Sequence, residues 1–567
     1  MSITGLESKP KKPIEQKLRT RYNLQNIKRT NPMSKDSKAD ILVIGAGMSS
    51  AAFCWSLSEA GFKVVCLEQG PWMKPQEYPT THLDGERHLS YEFHSNPNVR
   101  NLPQDYPVNT LDTPIHPLMF NAVGGSAIHW GAHFPRMKPS DFKVRTLDGV
   151  ADDWPISYED LNPFFDINDR ITGVAGLAGN PAYPPMPDRQ TPPLSIGKQG
   201  TKLVEGFEKL GWHWWPAESA INSVPYDGRP ACTYGGPCIS GCYNKAKSSA
   251  DVTYWPRAIN NGVSLKTGVR VSEITLNNKG LADGVIYFDQ KGVVNKLYSD
   301  VVVVACNGVG TPRLLLNSKS PRFPDGLANN SGLVGKNLMF HPVAAVAGVF
   351  EDEIESHKGP LACSVTSYEY YETDTSRDFV RGFQLQLNRQ LGPITTSLGG
   401  ALEKPIPWGK YHHNEFDERL NKLVPIAALI EDLPELHNEI ILDRNIVDSN
   451  GIPAPKVNYK VSDNSKKMLQ YSIERCTEVL EAAGSKRTLI NPMLETAGWH
   501  LLGTTRMGND PETSVVNKFG AAHDVKNLFV IDGSVFVTAG AVNPTSTIQA
   551  IALFMADNLK RNARNSI

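Results

Sequence analysis

The sequence predicts an α/β fold joined to a second, α+β half that contains an antiparallel sheet. Three observations predict it. Residues 40–60, DILVIGAGMSSAAFCWSLSEA, read as strand, tight turn and helix, and KVVCLEQG at 63–70 reads as a second strand. Runs such as RGFQLQLNRQ at 381–390 alternate apolar and polar residues, the period of a half-buried strand. The segment 527–559, NLFVIDGSVFVTAGAVNPTSTIQAIALFMADNL, reads as a strand, an Asp532-Gly533 turn, a loop and a final helix. A chain that returns to its first half after hundreds of residues is closing a site around a long ligand.

The first of these segments is a dinucleotide fingerprint. Gly45 and Gly47 supply the turn and the close backbone approach to a pyrophosphate, and Ser50 is a small stand-in for the third glycine of GxGxxG. The helix that follows aims its free amino-terminal N–H groups at phosphate. Glu68 ends the second strand 23 residues after Gly45, where an acid hydrogen-bonds the adenosine ribose hydroxyls. Strand, glycines, helix, strand and acid in order define a Rossmann-like domain, but NAD and FAD share that pattern. The glycine-hinged loop VGGSAIHWGAHFPR at 123–136 is of the type that lies along an extended flavin, which places Gly124, Gly125, Ser126, His129 and Trp130 against it.

Composition narrows the setting. A chain of 567 residues exceeds what one core usually supports, so two intertwined halves are expected. With 40% apolar and 21% charged residues it is an ordinary globular protein, and a net charge of −1 gives nucleic acid no electrostatic attraction. No apolar run reaches the ~18 residues that span a bilayer. Residues 1–37 are basic and polar, without the apolar stretch of a secretory signal or an Arg-Arg pair. They read as a solvated tail or as an arm that orders on a partner subunit.

Three of the eight cysteines, Cys232, Cys238 and Cys242, fall within eleven residues among glycines and a proline. Thiolates so gathered suit an iron–sulfur cluster; a disulfide plus a free thiol, or three unliganded thiols, are the alternatives. Zinc wants four ligands, and no histidine lies between Cys232 and Cys242. Cys54, Cys66 and Cys306 sit in apolar surroundings. Cys476 falls on the helical stripe Leu469, Ile473, Cys476, Leu480, Ala483, with Asp463 as the expected N-cap and Gly484 as the stop.

These motifs, with NGVGTPRLLLNS at 307–318, HLLGTTRMG at 500–508 and GAVNPTST at 540–547, occur in the order of the glucose–methanol–choline (GMC) oxidoreductase family. From about Asp40 to Leu559 the sequence resembles that family, whose members are built around FAD. The resemblance implies that His500 and Asn543 face the flavin together. His500 would accept the hydroxyl proton of an alcohol while flavin N5 accepts the hydride, and Asn543 would orient the same oxygen. It also brings Val271, Asp532, Gly533 and Thr545 to the cofactor. His129 stands where some relatives, such as pyranose oxidases, bond the flavin covalently; others with a similar loop hold it without a bond. His341 either lines the pocket or is structural at the start of a strand. Asn307 replaces a more usual alanine, with no functional consequence expected.

The cysteine trio resembles a C-x5-C-x3-C segment of bacterial glucose, fructose, gluconate and glucoside-3 dehydrogenases, where it binds a three-iron (3Fe-4S) cluster. The resemblance implies a sugar or polyol substrate, a small chaperone-like partner subunit that can carry the export signal, and a cytochrome c acceptor. Its setting would be bacterial: periplasmic or peripheral to the inner membrane through that partner, cytoplasmic without one. An oxygen-using pyranose oxidase-like enzyme, or a lyase or non-redox flavoprotein on the same fold, are the competing readings. The FAD half is expected at 38–165, 245–340 and 500–562, and the substrate half at 166–230 and 341–499, where the tryptophans of WHWWPAESAI (212–221) pack in a strand-like core. The cysteine segment is 231–244.

Overall fold

Ala39–Ile44 and Val64–Glu68 are buried on nearly every residue, the pattern of strands covered on both faces, and they pair in parallel. They are the centre of a seven-stranded sheet in the order Ser264–Thr267, Val64–Glu68, Ala39–Ile44, Val294–Val304, Ala282–Phe288, Arg270–Leu276. The eleven-residue strand Val294–Val304 serves two roles: its carboxyl half pairs in parallel with Ala39–Ile44 and with Leu528–Val530, and its amino half pairs antiparallel with Ala282–Phe288. The return strand seen in the sequence therefore joins the first sheet. This computed structural model describes residues 38–79, 85–235, 238–360, 363–389 and 392–564, so the basic segment 1–37 lies outside the described residues.

The second sheet has six strands, all antiparallel, in the order Arg487–Asn491, Val343–Val349, Leu423–Ile430, Phe383–Leu387, Val365–Ser367, Trp215–Pro216. Its strands obey the period of two. Phe383, Leu385 and Leu387, with Val424, Ile426, Ala428 and Ile430, join the core beneath the helices Gly197–Leu210 and Asp463–Ala482. The intervening Gln386, Ala427 and Leu429 face a large cavity instead. One face of this sheet thus makes a core and the other makes a wall. Both sheets belong to one unit, Ala39–Ile567. Arg381 ties them together at depth, with ion pairs to Asp141 and Asp148 on one side and Glu431 on the other.

Three local expectations are corrected. The helix Asp463–Ala482 is capped by Ser462, whose side chain accepts from the Ser465 N–H, because serine Oγ reaches back where Asp463 is already in the first turn. Gly484 does follow its end, with φ +93°. Of the segment 212–221 only Trp215–Pro216 is a strand; Trp212 and Trp214 pack against the core beneath the second sheet. The helix Tyr158–Thr172 runs through the expected boundary at 165/166 and stays with the first half, since Asn168 donates to the Ser546 carbonyl and Phe164 packs on Phe554 of the last helix. Among the described residues no helix is long and apolar enough to cross a membrane.

Candidate active site

A cavity of about 530 Å³ opens at the carboxyl ends of the first sheet and is walled by the second. That is where open α/β sheets bind their ligands. Gly45, Gly47, Glu68, Gly124, Gly125, Ser126, His129, Trp130, Val271, Asp532, Gly533, Thr545, His500 and Asn543 all line it. Ser50 does not; it is buried in the helix Met48–Ser58, its hydroxyl bonded to the Gly47 carbonyl, which suits close packing rather than ligand contact.

The dinucleotide end is a cradle built to be filled. Gly45 takes φ +95°, and a Cβ there would meet the Ala305 carbonyl oxygen at 2.4 Å. A Cβ on Gly47 would meet nothing within 4 Å. The helix Met48–Ser58 has no side-chain cap and no acid in its first turn, so its amino end is open to an anion. Glu68 accepts from the backbone N–H groups of Ala46 and Gly70, at 2.8 and 2.7 Å. Burial pushes its carboxyl up to about 7 although those two bonds pull the other way. Asp532 accepts from Asn307 N, Ser534 N and Thr311 Oγ1, which fixes the Asp532-Gly533 turn against the helix Asn307–Asn317.

Two side chains of the glycine-hinged loop are orphans. His129 is fully buried with no partner on either ring nitrogen, and Trp130 Nε1 has none either. A buried polar group left unpaired costs about 1–3 kcal/mol, so both point to a ligand that completes them. The His129 ring packs on Phe120 at 4.1 Å, and burial with the nearby Arg100 and Lys247 cations drives its pKa far down, leaving it neutral.

At the other end His500 and Asn543 come together. His500 Nδ1 lies 2.9 Å from His341 Nδ1, and its Nε2 lies 3.5 Å from Asn543 Nδ2. His341 Nε2 is 2.5 Å from the Gly540 carbonyl, which can only accept. The tautomers follow from that fixed point: His341 is protonated on Nε2, its Nδ1 accepts from His500 Nδ1–H, and the His500 Nε2 lone pair faces the Asn543 Nδ2–H and the cavity. Burial, then His341 and His133, hold the His500 pKa well below 6.5, so Nε2 is unprotonated near neutral pH. The loop carrying Asn543 is held by Tyr371, whose hydroxyl accepts from Ala541 N and donates to Asp141.

Several residues here carry roles that the sequence motifs did not announce. His341 proves to be the partner of His500. Gln386 lines the cavity from the wall side, His133 lines it from the glycine-hinged loop, and Cys363 joins them. Asn307 takes φ +67° and its side chain caps the Val309 and Gly310 N–H groups, roles an alanine would not fill. Alternation in FQLQL could have revealed Gln386, and His133 lies within the glycine-hinged loop 123–136 itself.

The cysteine segment adjoins the glycine-hinged loop. Buried Lys247 donates to the carbonyls of Ile128, Trp130 and Cys238, and Ile239 lines the cavity. All eight cysteines are free thiols, so the disulfide alternative has no pair. Cys232 Sγ accepts from Tyr234 N, and Cys242 Sγ accepts from Lys247 N. Gly236 and Pro237 lie outside the described residues. Among the described residues no group of three or more His, Cys, Asp or Glu side chains converges to hold a metal ion.

Fold and cavity define a dinucleotide-binding architecture, and comparison with known proteins gives the class. Residues 121–343 and 434–552 match the two GMC oxidoreductase models, and 43–106 match an NAD(P)-binding Rossmann-like domain. The chain belongs to the GMC oxidoreductase family; membership implies FAD, and the protein is an enzyme acting on alcohol-type CH–OH donors. It is 43% identical to 2-methyl-1,2-propanediol dehydrogenase of Mycolicibacterium austroafricanum, over 92% of this chain and 95% of the relative. It is 28% identical to the fructose dehydrogenase large subunit of Gluconobacter japonicus, over 92% and 97%. Its fold matches pyridoxine 4-oxidase from Mesorbium loti at a TM-score of 0.64 and 16% identity, covering 92% and 99%.

Proposed function

We propose that this protein is an FAD-dependent dehydrogenase that oxidises a hydroxyl of a small, uncharged diol, polyol or sugar to a carbonyl. The observation that carries the reading is the His341–His500–Asn543 constellation at one end of a dinucleotide cavity. FAD, when bound, supplies the hydride acceptor. His500 Nε2 takes the hydroxyl proton as the carbon–hydrogen bond breaks. His341 holds the His500 ring by accepting from Nδ1–H and steadies the imidazolium that forms. The Asn543 amide donates to the substrate oxygen and sets its position. His129, whose ring nitrogens have no protein partner, would contact the flavin.

The substrate's neutrality is supported by the lining. The charged side chains on the cavity wall are Glu68, Arg270, Arg313 and Asp532, and each is engaged with protein: the arginines share Asp448, and the acids accept backbone N–H groups. The rest of the wall offers Val343, Ala427, Leu429 and Leu494, with the neutral polar groups Gln386, Asn388, Thr496 and His133. An acid or amine substrate would be desolvated there without a counter-charge. The propanediol relative, named for a compact branched diol, agrees with that wall.

For the electrons' exit we read Cys232, Cys238 and Cys242 as ligands of an iron–sulfur cluster, a one-electron carrier. Two of the three sulfurs already accept backbone N–H groups, as cluster thiolates do, and buried Lys247 and Arg389 stand near the thiols as counter-charge. A cuboidal cluster takes cysteines at its separate corners, so its ligands need not converge as those of a single ion do. The name of the fructose dehydrogenase large subunit marks that relative as one part of an assembly. By analogy this chain would work with a small subunit and a cytochrome-type acceptor, and any periplasmic or membrane-peripheral placement would come from that partner.

The test is a panel of neutral diols, polyols and sugars against an aldonic acid and an amino sugar, assayed with an artificial dye and with oxygen. Dye reduction by neutral substrates supports the reading. Preference for the charged compounds contradicts the substrate class, and oxygen as the sole acceptor contradicts the dehydrogenase assignment.

A further inference from the structure

Asn543 can serve as a donor only if its amide is held the right way round, and an asparagine amide can turn over. The strand Phe383–Leu387 supplies the restraint. Gln386 Nε2 lies 2.6 Å from Asn543 Oδ1 and 2.7 Å from Gln384 Oε1, so its two N–H groups meet two carbonyl oxygens. Gln384 is itself oriented. Its Nε2 donates to Thr366 Oγ1 at 2.6 Å and to His133 Nε2 at 3.0 Å, while His133 Nδ1–H donates to the Glu218 carbonyl. Every donor in this chain meets an acceptor, and reversing any one amide sets two donors or two acceptors face to face. Gln384 is fully buried and Gln386 nearly so.

We infer that Gln386 is a positioning residue for the reaction: seated by Gln384 and His133, it pins the Asn543 carbonyl and so fixes Nδ2–H toward His500 and the substrate oxygen. The inference rests on the proposed roles of His500 and Asn543. It makes the wall of the second sheet part of the catalytic apparatus, because a backbone pairing, Gln386 with Ala427, sets how far the glutamine reaches.

Two variants of the holoenzyme test it. Gln386→Leu removes the restraint while filling the space. With FAD content unchanged, the rate of flavin reduction by substrate should fall about 10–100-fold, with kcat and kcat/KM falling together as for an interaction used mainly in the transition state. Gln386→Glu puts a carboxylate oxygen where Nε2 stood, facing the carbonyl oxygens of Asn543 and Gln384. The introduced carboxyl can donate only when protonated, so this variant should recover toward wild-type rate as pH is lowered, a trend opposite to that of the wild type. A purely structural glutamine would give no such reversal. Asn543→Leu and His500→Ala are the controls. If they are slow while Gln386→Leu is as fast as wild type, or if Gln386→Glu shows no acid recovery, the positioning role is overturned and the proposed function stands. If His500→Ala is fast, the proposed function itself fails.

Discussion

His500 owes its readiness to a carbonyl 40 residues away in sequence. Gly540 O fixes His341, His341 fixes the His500 tautomer, and burial keeps the ring neutral. Replacing His500 with alanine should slow flavin reduction by about 10²–10⁴-fold, the usual worth of a positioned general base, without releasing FAD. The pH dependence follows from the sign of the shift. A depressed pKa means the imidazole stays unprotonated as pH falls through 6.5, so the acid limb of kcat/KM should lie well below 6.5. A limb at or above 6.5 would contradict the effect of burial on the His500 ring. Gly45 offers a second test at this scale: with φ +95° and a carbonyl 2.4 Å from any Cβ, Gly45→Ala should fold poorly or lose FAD, seen as lost flavin absorbance after gel filtration. Both residues were legible in the sequence, because their motifs are local. His341 was only half legible. Its partner is 159 residues away, and no spacing rule connects them.

At the scale of elements the strand Phe383–Leu387 shows how period-two alternation divides labour. Leu385 is 2% exposed beneath the helices, while its neighbours Gln384 and Gln386 build the polar chain to Asn543. Leu385→Ala should therefore cost about 2–5 kcal/mol of stability while sparing the rate of flavin reduction per bound FAD, measured by denaturant unfolding and stopped flow. The alternation was visible as FQLQL, which is why the strand and its wall position were legible. The strand expected through Trp212–Ile221 was not realised beyond Trp215–Pro216, since tryptophans fill a core equally well from an irregular segment. Likewise Ser462 rather than Asp463 caps its helix, a one-residue choice decided by which oxygen reaches the third N–H.

At the scale of the molecule, one cavity joins a dinucleotide cradle to a neutral, partly apolar end, and the cysteine segment lies against the loop between them. The overall architecture was legible because the fingerprint and the carboxyl-terminal return are both strong local signals. The boundary at 165/166 was not, because helix Tyr158–Thr172 is claimed by contacts with residues nearly 400 positions later. If the cysteines hold a cluster, anaerobically prepared protein contains iron and acid-labile sulfide. Cys238→Ser should then keep substrate-driven flavin reduction and lose onward reduction of a one-electron acceptor. Full flavin without iron would remove the cluster.

If a neutral alcohol delivers hydride to FAD while His500 takes the proton, bleaching of the flavin reports both events. Anaerobic stopped-flow measurement of flavin bleaching by a compact diol, in wild type and in His500→Ala, tests it directly. Rapid, complete bleaching is expected in the wild type, with a loss of about 10²-fold or more in the variant at equal FAD content. Equal rates in the two proteins, or no bleaching of the wild type by any neutral alcohol, would contradict it.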